Sequence, residues 1–485
     1  MTPTDAQSDP RRWFALALLA LTQFMVVLDI SIVNVALPSI QESLGFSQED
    51  LQWVITAYTL TFGGFLLLGG RAADLLGRRR VFVAGLVVFS VASLACASSD
   101  SDSMLIVARA VQGLGAAIIS PAALAILTDT FAEGPDRNKA LGVWGAVAGA
   151  GGAVGVLLGG VLTDLLTWEW VFFINAPVGA VVIALSLRML RESRVESAVR
   201  RFDVLGALTG TAGLVLLVYG LSETVHNGWA SGETFGLLAG AAALLGLFVR
   251  IEARAKAALM PLGIFRNRTL SGANVVGFLL GAAIFSMFFF LSLYMQQVLG
   301  YSALRSGVAY LLIAGTIIVA AGVAQALVTR LGVKNVLVTG MVLLTLGVLW
   351  FTQVSVDGSY LGDLAPGFVI AGVGLGFAFV PVTIAALTGV RAHEAGIASG
   401  LINTAQQIGG ALGLALLATV ANTRTEGLLE DGSPAPYALT EGFQTAFTVG
   451  AGLAAAGLVA ALVMISRRTP AAAEAPLEAP VPAVD

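Results

Sequence analysis

The chain has 485 residues, 57% hydrophobic and only 12% charged, with a mean hydropathy of +0.88. So small a polar share excludes a soluble globular protein, whose charged residues must cover its outside. A single cysteine, Cys96, rules out an intramolecular disulfide, and with only His226 and His393 beside it a Cys- or His-ligated zinc site is not expected. The formal net charge of −4 decides little, because in a membrane chain the placement of charge matters more than its sum.

Apolar runs long enough to cross a ~30 Å hydrocarbon core as helices recur from end to end. They lack the two-residue alternation of a membrane barrel. The first run, Trp13 to Leu37, is too long for a cleavable leader and follows Arg11 and Arg12, so it reads as a retained span. It carries one acid, Asp29, within LDISIVNVALP (Leu28 to Pro38). A carboxylate at that depth is costly unless it is protonated, paired or facing water, which makes it a functional candidate. The other reading is an aspartate held by hydrogen bonds for helix packing.

Fourteen spans are expected in all, near 13–37, 51–70, 81–98, 104–131, 140–163, 170–190, 203–223, 233–251, 270–296, 306–329, 335–354, 364–388, 395–421 and 443–466. Of 26 lysines and arginines, all but Arg109, Arg305 and Arg424 then fall in segments on the side of the N-terminus. That bias puts both termini in the cytoplasm. GGAVG at 151–155 returns as GGALG at 409–413, and DLLGRR at 74–79 is weakly echoed by TRLGVK at 329–334. Both repeats keep their direction across the membrane. The expected fold is therefore an all-α polytopic membrane protein of two parallel six-helix bundles with two inserted helices. Its parts are a cytoplasmic tail (1–12), a first bundle (13–196), a linker with two inserted helices (197–262), a second bundle (263–468) and a disordered cytoplasmic tail (469–485). Parallel halves of this kind place a substrate path between them.

The loop between the second and third spans reads GGRAADLLGRRR, Gly69 to Arg80. Glycines let helix ends approach, and Asp74 or Asp129 can pair with Arg78 as a charge latch that forms in one conformation and breaks in another. An ordinary basic cytoplasmic loop is the alternative. In the fourth span, RAVQGLGAA (Arg109 to Ala117) puts Arg109 at a depth similar to Asp29, so these two deep charges of opposite sign are candidates to pair. The fifth span carries spaced glycines, Gly142, Gly151, Gly155, Gly159 and Gly160, a device for close helix contact.

These motifs resemble the major facilitator superfamily, specifically its fourteen-span drug:proton antiporter branch (EmrB/QacA type). LDISIVNVALP is similar to that branch's first-span signature. The loop is similar to the superfamily's loop motif through Gly70, Asp74, Gly77, Arg78 and Arg79, with Arg71 where an apolar residue is usual. WEWVFFINAPVG (Trp168 to Gly179) is similar too, with Glu169 where a base is common. The resemblance implies proton coupling through Asp29 and Arg109. It also implies an antiporter role for the fifth-span glycines, with Val156 replacing the motif's proline. The implied activity is export of small amphipathic organic compounds, drugs or antibiotics, in exchange for protons by alternating access. Proton-linked or facilitated uptake of a metabolite is the alternative.

For substrate contact, the polar residues Gln23, Asn34 and Gln112 are candidates in the first half. In the second half the candidates are Asn403, Gln406 and Gln407, expected on one helical face, and Phe285 and Tyr294 from an aromatic run of which half is expected to face lipid. A mostly apolar cavity with a few polar groups suits amphipathic molecules. The second half lacks a deep charge, which points to neutral or monovalent compounds. The expected partners are that substrate, protons and the lipid bilayer of a bacterial cytoplasmic membrane. No nucleic acid or nucleotide is expected, since there is no GxxxxGK[ST] loop. No enzyme activity, cofactor or metal is expected, and the chain is expected to act as a monomer.

Overall fold

The computed structural model describes residues 11–131, 135–193, 203–223, 231–255, 258, 262–390 and 395–466. Among them are fourteen long helices: α1 (Arg11–Leu44), α2 (Trp53–Leu76), α3 (Arg78–Ala97), α4 (Asp102–Thr130), α5 (Pro135–Leu165), α6 (Asn175–Met189), α7 (Val204–Ser222), α8 (Gly232–Arg254), α9 (Arg268–Leu293), α10 (Ala303–Leu331), α11 (Val333–Trp350), α12 (Ala365–Leu387), α13 (Ala395–Glu430) and α14 (Ala435–Met464). Thirteen helices, α6 counted with the short turn Trp170–Phe173 before it, are long and apolar enough to cross a membrane. The remaining one, α5, has 31 residues and carries the apolar stretch Val154–Leu165. The terminal tails expected at 1–10 and 469–485 lie outside the described residues.

Several helices outrun the apolar runs that announced them. α1 continues through Pro38 to Leu44, 34 residues, about 50 Å at 1.5 Å per residue. α13 has 36 residues and ends at Glu430, so part of the expected loop 422–442 is helix. Hydropathy marks where a chain meets hydrocarbon, whereas helical hydrogen bonding continues into water wherever the residues allow it.

Adjacent helices alternate in direction, so one end of the bundle is on the side of α1's start and the other, the far end, carries the loops after α1 and α3. α1–α6 pack together, as do α9–α14, and the two sets repeat each other's contacts. The glycine repeats show how. Gly151 and Gly159 of α5 lie against the carbonyls of Phe24 and Ile32 on α1, where a Cβ would come within 3.4 and 2.6 Å of oxygen. Gly409 of α13 presses in the same way on the Phe278 carbonyl of α9, and Gly413 on the Cβ and Cα of Ala282. The sequence repeat is thus one helix-pairing device used once in each half.

The aromatic run of α9 corrects an expectation. Met287, Phe289 and Phe290 are each only 1% exposed. Phe290 meets Phe443 and Phe447 of α14 at ring distances of 5.7 and 6.3 Å. α9 is surrounded by α13, α14 and α12, so its apolar run fills the second half instead of facing lipid.

The inserted hairpin α7–α8 is more than a tether. α8 leaves large apolar side chains such as Phe235 and Val249 exposed, but α7 lies along α2 and α13, one helix from each half. Leu60, Val218, Ala411 and Ala415 form a small buried cluster there. The Thr419 hydroxyl donates to the Leu221 carbonyl at 3.1 Å, and Gly64 faces Thr211.

Hydrogen bonds between the halves gather at the far end. Gln297 donates to Gln41 at 2.7 Å, and the Leu304 amide donates to the Asp164 carboxylate at 3.0 Å. Gly160 sits on the backbone of Ala303 and Leu304, and Gly307 on that of Val156. The molecule is therefore closed at the far end.

Candidate functional site

Asp29 is fully buried, inside the first half. Its Oδ2 accepts from Nη1 of Arg109 at 2.8 Å, an ion pair in which the arginine is 1% exposed. Its Oδ1 accepts from Nε2 of Gln112 and from Nδ2 of Asn175, both at 2.7 Å. The guanidinium has further partners. Nε donates to the Val54 carbonyl at 2.9 Å, and Nη1 also reaches Oε1 of Gln112 at 2.6 Å. Gln112 donates in turn to Ser93 Oγ at 2.7 Å. The rings of Tyr58 and Phe172 flank the guanidinium at 4.3 and 5.5 Å, a cation–π contact worth most where water is absent.

Each donor arrives for a local reason. Arg109 and Gln112 stand three residues apart on α4 and so share a face. Asn175 arrives on the sixth span, where the turn Trp170–Phe173 runs on through Ile174, itself helical at φ −56° and ψ −28°, into α6. The site thus draws on α1, α2, α3, α4 and the sixth span. A buried ion pair is stable when its remaining valences are hydrogen-bonded, and removing one partner strands a charge at a cost of about 3–5 kcal/mol.

The structure brings Asp29 and Arg109 together and adds Gln112, which the sequence reading put among substrate contacts. That assignment is corrected: Gln112 is fully buried within the first half, its amide taken by Asp29 and Ser93. Sequence reasoning missed Asn175 and Ser93. Asn175 did carry a signal, a lone amide inside an apolar span two residues before Pro177.

At the loop after α2, Arg78 pairs with Asp129 at 3.1 Å. The Asp74 side chain lies outside the described residues. Arg79 takes a different partner, Glu192 beyond α6, which accepts from the Arg79 amide at 3.1 Å and also lies 3.6 Å from Arg80. Gly77 has φ +108°, a left-handed value, and a Cβ there would meet the Glu192 carboxylate at 2.6 Å. Gly70 faces Pro121 of α4.

The fifth-span glycines divide their work. Gly151, Gly155 and Gly159 face α1 along Phe24 to Ile32, the stretch that bears Asp29, while Gly160 faces α10 of the other half. The surroundings of Gly142 lie outside the described residues.

The remaining substrate candidates scatter. Gln23 is half-buried and accepts from Ser120 at 3.3 Å. The half-buried Asn34 amide bonds back to the Ile30 carbonyl at 3.1 Å, and its own carbonyl lies on the far-end seam between the halves. Tyr294 is fully buried and its hydroxyl donates to the Ser355 carbonyl at 2.7 Å, anchoring a loop. Phe285 packs on Gly410. The α13 trio does not act as one face: Asn403 is exposed and bonded to the Ser399 carbonyl, Gln406 packs on Gly277 and Gly281 of α9, and Gln407 packs on Gly63 of α2. The Gln407 side-chain oxygen is buried with no hydrogen-bond partner among the described residues.

Residues 19–414 match the family description of the Major Facilitator Superfamily. The chain belongs to that superfamily. It is similar to the puromycin resistance protein pur8 of Streptomyces alboniger, at 41% identity over 96% of this chain and 94% of that one. It is equally similar, at 41%, to the cephamycin export protein CmcT of Amycolatopsis lactamdurans, over 94% and 93% of the two chains. Among solved structures, a bacterial homologue of the lysosomal transporter Spinster in an inward-facing, unoccupied conformation shares the fold with a TM-score of 0.68. It is 16% identical and covers 96% of this chain and 100% of that one. Membership makes this chain a membrane transporter rather than an enzyme, and the Asp29 cluster is a feature of its first half.

Proposed function

We propose that this transporter exports small amphipathic organic compounds, drugs or antibiotics, from a bacterial cell in exchange for protons, as a fourteen-span antiporter of the EmrB/QacA type working by alternating access. The observation that carries the coupling is the buried Asp29 carboxylate, joined at once to α1, α4 and the sixth span through Arg109, Gln112 and Asn175. A proton on Asp29 removes the charge that these donors serve, so the packing of those helices differs between the two protonation states. Two-state rocking requires such a differential interaction. The direction and the substrate class are supported by the names of the relatives, a puromycin resistance protein and a cephamycin exporter. The excess of basic residues on the side of the termini supports a cytoplasmic location for that side, in a bacterial cytoplasmic membrane. In this reading the far end is outside, and its closure in the structure supports a state shut toward the outside.

The test is a growth-inhibition panel in an efflux-deficient bacterial host. It compares the parent chain with an equally expressed Asp29→Asn variant against cationic dyes, antiseptics and neutral antibiotics. Protection by the parent and none by the variant is the expected outcome. Equal protection would leave export standing and remove Asp29 from the coupling. No protection by either would turn attention to metabolite uptake.

A further inference from the structure

The proline of LDISIVNVALP has a consequence at the far end. Pro38 lies inside α1, and a proline has no N–H to give the carbonyl four residues earlier, while its ring pushes that carbonyl away. The carbonyl so released is that of Asn34. It is not left unpaired: the Ser292 hydroxyl of α9, from the other half, donates to it at 2.6 Å. The next carbonyl, that of Val35, takes Nε2 of Gln296 at 2.9 Å. Gln296 lies in a π-helical turn, Tyr294–Val298, that closes α9. The turn's wider i→i+5 pairing, Leu299 N–H to the Tyr294 carbonyl at 3.0 Å, changes the direction in which its side chains leave the helix. Such turns gather at functional sites.

We infer that Pro38 creates the acceptor, and Ser292 with Gln296 supplies the donors, of a latch that holds the far end of the transporter shut. The latch rests on the two-state reading given above. It has a property that an ordinary side-chain contact lacks, since both acceptors are main-chain oxygens and that of Asn34 has no helical partner. Opening the far end leaves the Asn34 carbonyl without a protein donor until water reaches it. The latch also sits on the same helix as Asp29, between that carboxylate and the far-end loop, so a shift of α1 at Asp29 reaches it directly. Ser292 and Gln296 are positioning residues: they act through the main-chain oxygens of α1 and make no hydrogen bond to Asp29.

The experiment measures the separation of the halves by pulsed electron resonance between spin labels at Asp100→Cys and Asp357→Cys in a Cys96→Ala background. Both labelled positions are exposed and lie at the far end. Ser292→Ala is expected to populate a longer distance, raising the ratio of open to closed far ends by roughly 2- to 10-fold, the range for one neutral hydrogen bond. Ser292→Thr, which keeps the hydroxyl, is expected to retain the parent distribution. Pro38→Ala restores the missing N–H, so in that background Ser292→Ala is expected to add little. An unchanged distance in Ser292→Ala overturns the inference, as does an effect of the same size with and without Pro38. A distance that responds to pH but not to Ser292→Ala sinks the latch alone. A distance that responds to neither pH nor any of the substitutions sinks the two-state reading and the latch with it.

Discussion

At the scale of single residues, the Asp29 cluster is a set of named donors around one carboxylate, and each member can be removed by itself. Arg109→Leu leaves a carboxylate buried without its counter-charge and is expected to cost about 3–5 kcal/mol. Asn175→Leu removes one donor of three and is expected to cost less, about 1–3 kcal/mol. Thermal unfolding of the purified variants in detergent checks the order, and a larger loss for Asn175→Leu than for Arg109→Leu would contradict it. The charged members were legible in the sequence because a charge inside an apolar run has few explanations. Gln112 was not, because an amide in a span reads the same whether it faces a cavity or serves a neighbouring carboxylate. Asn175 hid for a related reason: hydropathy does not report which way the sixth span turns its one amide.

At the scale of helices, glycines decide which pairs approach. Gly159→Ala and Gly409→Ala would each drive a methyl against a carbonyl of the partner helix. They are expected to destabilise by about 1–3 kcal/mol, the usual range for overpacking. Gly152, on the same helix as Gly159, has open space where its Cβ would be, and Gly152→Ala is expected to be neutral. Melting temperatures of the three variants separate a packing role from a general intolerance of α5 and α13 to substitution; equal effects would refute the packing assignment. In the sequence, the repeat GGAVG and GGALG pointed to halves of the same direction and the spaced glycines to close helix contact, but not to which helices pair. Helix ends were less legible, since α1 and α13 run on through polar residues that carry no apolar signal.

At the scale of the whole molecule, the halves and the insert form one packed body. The Cβ position of Gly64 on α2 lies 3.1 Å from Cβ of Thr211 on α7, close to disulfide geometry after a small relaxation. With Cys96 replaced by alanine, the Gly64→Cys, Thr211→Cys pair is expected to cross-link in membranes under mild oxidant, read as loss of maleimide labelling. Full labelling would place α7 away from α2. Nothing in the sequence located the insert, because a helix that is apolar all round gives no periodic face from which to infer its neighbour.

That position of α7 makes the two flanks of the molecule unequal. Where α2 meets α13 an extra helix lies along the junction. Where α5 meets α10 the insert supplies no such cover, and α10 leaves Ile318, Val319 and Val323 exposed on its way toward the termini. A compound dissolved in the bilayer, approaching sideways, meets a screened flank on one side and an uncovered one on the other. The two junctions between the halves are thus unequally covered, a handedness in the membrane plane that a plain two-bundle arrangement would not have.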